Sequence, residues 1–92
     1  MNLDKSQKRI AKKVKMGFQG YPAIKIRYSG PSDELATDVH LELVLEEGAE
    51  PLTEKFSTKG DIRIDETIQS TIVKTIERSG ALSVTLSEYS HQ

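Results

Sequence analysis

The spacing of apolar residues changes three times along the chain, and each change marks a boundary between elements. Near the N-terminus, Leu3, Ile10, Ala11, Val14 and Phe18 fall within an arc of about 100° when successive residues are set about 100° apart, with the basic residues on the opposite side. That pattern predicts an amphipathic helix, with Asn2 or Asp4 to cap its first turn and Gly17 placed for the left-handed residue that ends it. Gly17, Gly20 and Pro22 then interrupt the chain. From Ala23 the period falls to two, with Ile24, Ile26 and Tyr28 on one face and Lys25 and Arg27 on the other, which is a strand. The next segment, Ser29 to Ala36, holds Gly30-Pro31-Ser32-Asp33 and is expected to be a mobile loop, too long for a tight hairpin.

Val39, Leu41, Leu43 and Leu45 alternate with His40, Glu42, Val44 and Glu46, the clearest strand of the chain. If it runs antiparallel to the first, Lys25 and Arg27 face Glu42 or Glu46 across the pair. A turn over Glu46 to Pro51 leads into a third strand, Leu52 to Thr58, with Leu52 and Phe56 inward. Pro51 and the Glu54-Lys55 pair suit a sheet edge, where a missing amide and exposed charges discourage further pairing. In Asp65 to Arg78 the apolar residues Ile68, Ile72 and Ile76 recur every four positions. Thr67, Thr71, Val73 and Thr75 resist a helix, but Asp65 as N-cap, Glu66 in the first turn, Lys74 and Arg78 near the end and Gly80 beyond it favour one. Leu82, Val84 and Leu86 then alternate with polar residues in a fourth strand, followed by a flexible polar tail over 88–92.

These elements predict one α+β domain spanning 1–92 in the order α-β-β-β-α-β. The first three strands form an antiparallel meander, and the second helix crosses over so that the last strand returns beside the first and parallel to it. All inward positions face one side, so both helices belong on that face. Four strands about 4.8 Å apart span roughly 19 Å, while a helix with its side chains is about 10 Å across. One helix therefore covers half of the sheet. Residues 1–17 supply the second cover if Leu3, Ile10, Val14 and Phe18 dock; if they remain an arm, a second copy of the chain must cover the apolar half. The outer face, with Lys25, Arg27, Glu42, Glu46, Lys55, Ser83 and Thr85, offers little to bury against.

Composition narrows the chemistry. With 36% hydrophobic and 29% charged residues the chain is that of a small folded domain. The absence of cysteine excludes disulfides, thiolate zinc sites, iron–sulfur clusters and cysteine nucleophiles. No apolar run approaches the roughly 18 residues of a membrane span and no secretory h-region is present, so a cytoplasmic protein is expected. The Lys-rich start runs into the domain without a spacer, unlike an organellar presequence. His40 shares its strand face with Glu42 and Glu46, a row that could be weighed as metal ligands but lacks the convergence zinc requires, and reads as a solvated face. The turn Glu46, Glu47 and Glu50 lacks the ligand order of a calcium loop. The glycines at 17 and 20 follow a helix and precede a strand, the reverse of a phosphate-binding loop, and no serine lies in a nucleophile elbow. No enzyme, cofactor or metal is implied.

Charge is distributed unevenly. Residues 1–27 carry eight basic side chains against one acid, and residues 28–92 carry five against thirteen. Such a split points to an anionic partner for the first part or to mutual neutralisation in the fold. Six of the basic residues, Lys5, Lys8, Arg9, Lys12, Lys13 and Lys15, lie within eleven positions. The order helix, three strands, helix resembles that of double-stranded-RNA-binding domains. That family carries a basic cluster at the start of its second helix, where this chain has Asp61, Asp65 and Glu66, and a fourth strand follows here, so the resemblance implies no function. The leading expectation is a non-catalytic interaction or accessory module that meets a protein partner, or a second copy of itself, through the basic helix and a mixed-charge sheet face. The competing expectation is sequence-independent nucleic-acid binding through the same six residues. A calculated pI near 6.1 and the lack of aromatic residues among the lysines weigh against it. A membrane surface ranks lower, and no small-molecule ligand is implied.

Overall fold

The computed structural model describes residues 2–32 and 34–91. In chain order these form α1 (Leu3–Lys15), β1 (Ala23–Gly30), β2 (Asp38–Val44), β3 (Leu52–Ser57), a 3-10 turn at Ile62–Ile64, α2 (Glu66–Ser79) and β4 (Ser83–His91). The strands lie side by side as β3-β2-β1-β4; β1–β2 and β2–β3 are antiparallel and β1–β4 is parallel, so the architecture is the expected meander with a crossover strand. Among the described residues no helix is long and apolar enough to cross a membrane.

Local chemistry sets both helices. Asn2 caps α1 by accepting the Lys5 N–H at 2.8 Å, Asp4 sits in the first turn and Lys12, Lys13 and Lys15 in the last, each sign matching the helix dipole. Beyond the cap, Gly17 takes a φ of 72° and turns the chain out of the helix. In α2 the Asp65 carboxylate accepts the Ile68 N–H at 2.9 Å, and Gly80, with φ 67°, closes the far end. These caps hold a helix whose β-branched residues would not favour one alone.

The register stacks Ile24 against Leu43 and Val84, and Ile26 against Leu41 and Leu86, all on the helix side. Ile72, Val73 and Ile76 of α2 fill the centre of that layer with Val39, and Ile10 brings α1 in beside them. The isoleucine stripe of α2 thus faces the core as expected, with Val73 joining it.

Five departures from the pattern have local causes. The segment expected as a mobile loop is tied down: Thr37 N–H donates to the Ser29 carbonyl at 3.0 Å, and the buried Ala36 accepts the Ile62 N–H at 2.7 Å. Ile62, unassigned by periodicity, is 0% exposed. Phe18 lies past the end of α1 and is 63% exposed, its ring edge-on to Tyr21 at 5.3 Å. Ser83, expected to face water, is buried because the linker after α1 folds over it; its Oγ accepts the Gln19 N–H at 2.7 Å and donates to the Gly20 carbonyl at 2.6 Å. Finally, strand ends differ from the pattern. β2 stops at Val44, leaving Glu46 outside, so Lys25 faces Glu42 but Arg27 faces His40. The strand expected to end before Glu88 continues to His91, with a register shift opposite Arg27 and Ser29.

Gly30 is where the tied loop leaves the sheet. A Cβ there would lie 2.9 Å from the Thr37 nitrogen and closer still to the Leu35 carbonyl, so backbone would have to move. Gly30→Ala is expected to destabilise the domain by about 1–3 kcal/mol, read as a lower urea midpoint with an unchanged slope.

Candidate interaction surfaces

Docking gives α1 two unlike sides. Its inner side presents Ile10, 6% exposed, with Leu3 and Val14 half-buried beside it. Ser6 is also buried there, its hydroxyl unpaired among the described residues. The outer side carries the six basic residues named from the sequence, all exposed except the half-buried Lys13. Two have acidic partners: Lys8 Nζ reaches Asp4 at 3.1 Å within α1, and Arg9 reaches Glu77 of α2 at 2.8 Å. Among the described residues, Lys5, Lys12, Lys13 and Lys15 form no ion pair within 4.0 Å.

Polar contacts fix where α1 lies. Gln7 donates to the Arg63 carbonyl at 2.8 Å, and Arg63 is itself held by the Asp61 carboxylate at 2.8 Å and by the Glu34 carbonyl at 3.1 Å. The hydrogen bond from Arg63 holds the Asp61 carboxyl below its ordinary pKa. Nearby, burial pushes the Tyr28 phenol up, and its oxygen accepts from Gln69 at 3.1 Å.

Between the helices runs a groove of about 420 Å³. Ile10, Val73 and Ile76 make its floor, Met16 forms an apolar end, Arg9, Lys12 and Lys13 line one rim, and Glu77 stands on the other. The volume falls in the range of roughly 300–1,000 Å³ that ligand pockets occupy. Spacing along the sequence could not reveal it, because its two walls come from segments about sixty residues apart.

No helix covers the opposite face of the sheet, and the linker after α1 lies over its Ser83 corner. On it the register aligns side chains in rows across the strands: Ser29, Asp38 and Ser57; Arg27, His40 and Lys55; Lys25, Glu42 and Thr53. Asp38 is buried and accepts hydrogen bonds from the hydroxyls of Ser57 and, at 3.5 Å, Thr37. His40 Nε2 lies 3.4 Å from the Ser29 hydroxyl. Burial, then the charges of Arg27 and Lys55, lower the His40 pKa below 6.5, against weaker opposing effects of Asp38 and Glu42. Glu46 lies beyond the end of β2 and does not join His40 and Glu42 in a ligand set; among the described residues no three His, Asp or Glu side chains gather as metal ligands.

Compared with known protein families, curated proteins and solved structures, the chain matches none. Its functional reading therefore rests on these surfaces.

Two measurements separate the forces at work. Arg9 and Glu77 are each more than half exposed, so a double-mutant cycle is expected to assign their pair about 0.2–1 kcal/mol. Removing the Ile10 side chain with Ile10→Ala is expected to cost about 2–5 kcal/mol, making apolar burial the dominant anchor of α1. For His40 the sign follows from its lowered pKa. The unfolded chain takes up the proton first as pH falls, so stability declines from about pH 6.5 down to the folded-state value and no further from this group. His40→Asn is expected to flatten that part of the stability-versus-pH curve in urea titrations, and an unchanged slope would refute the assignment.

Proposed function

We propose that this chain is a non-catalytic interaction module that docks an acidic, partly apolar segment of a partner protein along α1 and the groove it forms with α2. The observation that carries the reading is that, among the described residues, Lys12 and Lys13 stand without acidic partners at the rim of an apolar-floored groove, with Lys5 and Lys15 extending the positive surface. Met16, half exposed at the groove's end, supplies an adaptable apolar contact of the kind used to bind varied side chains. A helical partner segment would bring apolar residues at spacings of three and four to the groove and carboxylates to its rim. Rim charges would steer association and make it salt-dependent, while Met16 and the groove floor would set the lifetime of the complex.

The test uses the full chain and a fluorescein-labelled helical peptide of glutamate and leucine at helical spacing. Anisotropy is expected to rise on binding, to weaken as salt increases, and to fall about tenfold or more in affinity for Lys12→Glu with Lys13→Glu. Met16→Ala is expected to weaken binding, and Lys25→Glu, on the opposite face of the sheet, to leave it unchanged. Absence of peptide binding at low salt would refute the proposal. So would tighter binding of an oligonucleotide of equal charge through the same lysines, which would favour the nucleic-acid reading.

A further inference from the structure

The open face of the sheet holds a second charged feature, independent of α1. Arg27, His40 and Lys55 stand side by side on β1, β2 and β3. Their spacing follows from the ladder. The Thr37 carbonyl, just before β2, accepts the Thr58 N–H at 2.8 Å, so odd-numbered residues of β2 turn their carbonyls toward β3 and even-numbered ones toward β1. His40 and Arg27 are therefore a hydrogen-bonded pair, about 5.5 Å apart at Cα, and His40 and Lys55 a closer non-bonded pair, about 4.5 Å apart. Three potential cations share one line of the sheet.

Like charges set opposite one another on a sheet are destabilising, and the neighbouring row avoids this by facing Lys25 with Glu42. Among the described residues, the charged groups facing His40 are Arg27 from β1, Lys55 from β3, and Asp38 and Glu42 on its own strand. Both acids have other neighbours: Asp38 accepts from the Ser57 and Thr37 hydroxyls, and Glu42 lies opposite Lys25. Among the described residues the row, which Ser87 of β4 continues beyond Arg27, contains no carboxylate. With Nε2 beside Ser29, Nδ1 is the ring nitrogen left to meet a ligand.

We propose that Arg27, His40 and Lys55 form a binding site for a phosphomonoester dianion, held more tightly when His40 is protonated. The guanidinium offers a planar fork for two oxygens, the lysine a flexible point charge, and the imidazolium a third donor between them. An anion in the row replaces mutual repulsion with attraction and raises the His40 pKa; by linkage, protonation strengthens binding by the same factor. A nucleic-acid strand fits the face less well. Tyr28 and Phe56 point to the helix side and provide no stacking surface here, and Glu42 lies in the adjoining row.

The site is tested on the full chain carrying His91→Gln, so that His40 gives the only imidazole signal in a proton–carbon NMR titration. Sulfate is the first probe because it stays dianionic across the range, whereas phosphate changes charge near pH 6. Ring titration is the readout because sulfate also stabilises folded proteins by exclusion. At constant ionic strength, sulfate is expected to raise the His40 pKa relative to chloride and to bind about tenfold more tightly at pH 5.5 than at pH 8. Arg27→Gln and Lys55→Gln are each expected to lower affinity about tenfold, while Lys12→Gln on α1 has no effect. Phosphoserine and inorganic phosphate, both tested at pH 7, distinguish an ester-borne group from the free ion; binding of phosphoserine supports the proposal, and binding of inorganic phosphate alone overturns it. An identical His40 titration in sulfate and chloride also overturns it, as does wild-type affinity in Lys55→Gln, an exposed position where folding is not at risk.

Discussion

The fold depends on one-sided burial. The large apolar residues of β1, β2 and β4 point to the same side of the sheet, and that side is about twice as wide as a helix. α2 covers the centre through Ile72, Val73 and Ile76, and Ile10 draws α1 in beside it. The two helices still stop short of both edges: Leu52 on β3 remains 56% exposed and Leu86 on β4 47%. Because the helices share this face, the other is left largely polar, with Ala23 and Val44 its apolar pair, and the protein acquires two differently charged surfaces on opposite sides of one sheet.

The forces on α1 are unequal. One fully docked isoleucine and two half-buried residues supply its apolar anchor, while the unpaired Ser6 hydroxyl opposes docking by about 1–3 kcal/mol. Gln7 on the Arg63 carbonyl and Arg9 on Glu77 add little energy, being exposed, but they select one position along α2. A helix held in this way has a definite register without a deep interface. The groove beside Ile10 is a consequence: α1 rests on α2 through a narrow apolar seam, and the longer side chains on either side stand clear of it.

Element order, both helix caps and the inward faces were legible because each rests on local chemistry or on a period within one segment. Asn2, Asp65 and Gly80 perform the expected capping roles, and Ile24, Ile26, Val39 and Leu41 occupy the expected face. What escaped notice depends on contacts between distant segments. Ile62 has no periodic partner, and it takes the hydrogen bonds from its amide to Ala36 and from Arg63 to the Glu34 carbonyl to show that the 29–36 segment and the approach to α2 close over one another. Ser83 looks like an outward strand residue until the linker at Gln19 and Gly20 is folded over it. Period two placed Arg27, His40 and Lys55 on one face, but their alignment required the register, and a strand end shifted by two residues would have set Arg27 against a glutamate instead.

The uneven charge of the chain admits two explanations, mutual neutralisation or an external anion, and the arrangement of α1 separates them. Neutralisation requires its basic residues to contact acids in the rest of the chain. Among the described residues, Arg9 alone of the six does so, through Glu77; Lys8 is paired within its own helix. Glu46, Glu47 and Glu50 lie in the turn between β2 and β3, on the far side of β1 from β4, while α1 packs toward β4 and α2. At physiological ionic strength exposed charges are screened beyond about 8 Å, so acids two or three strands away do little to compensate these lysines. Folding therefore leaves the basic and acidic parts largely as separate fields. A near-neutral total conceals a polarised surface, and the unbalanced positive side belongs to the helix whose inner face is already committed to the core.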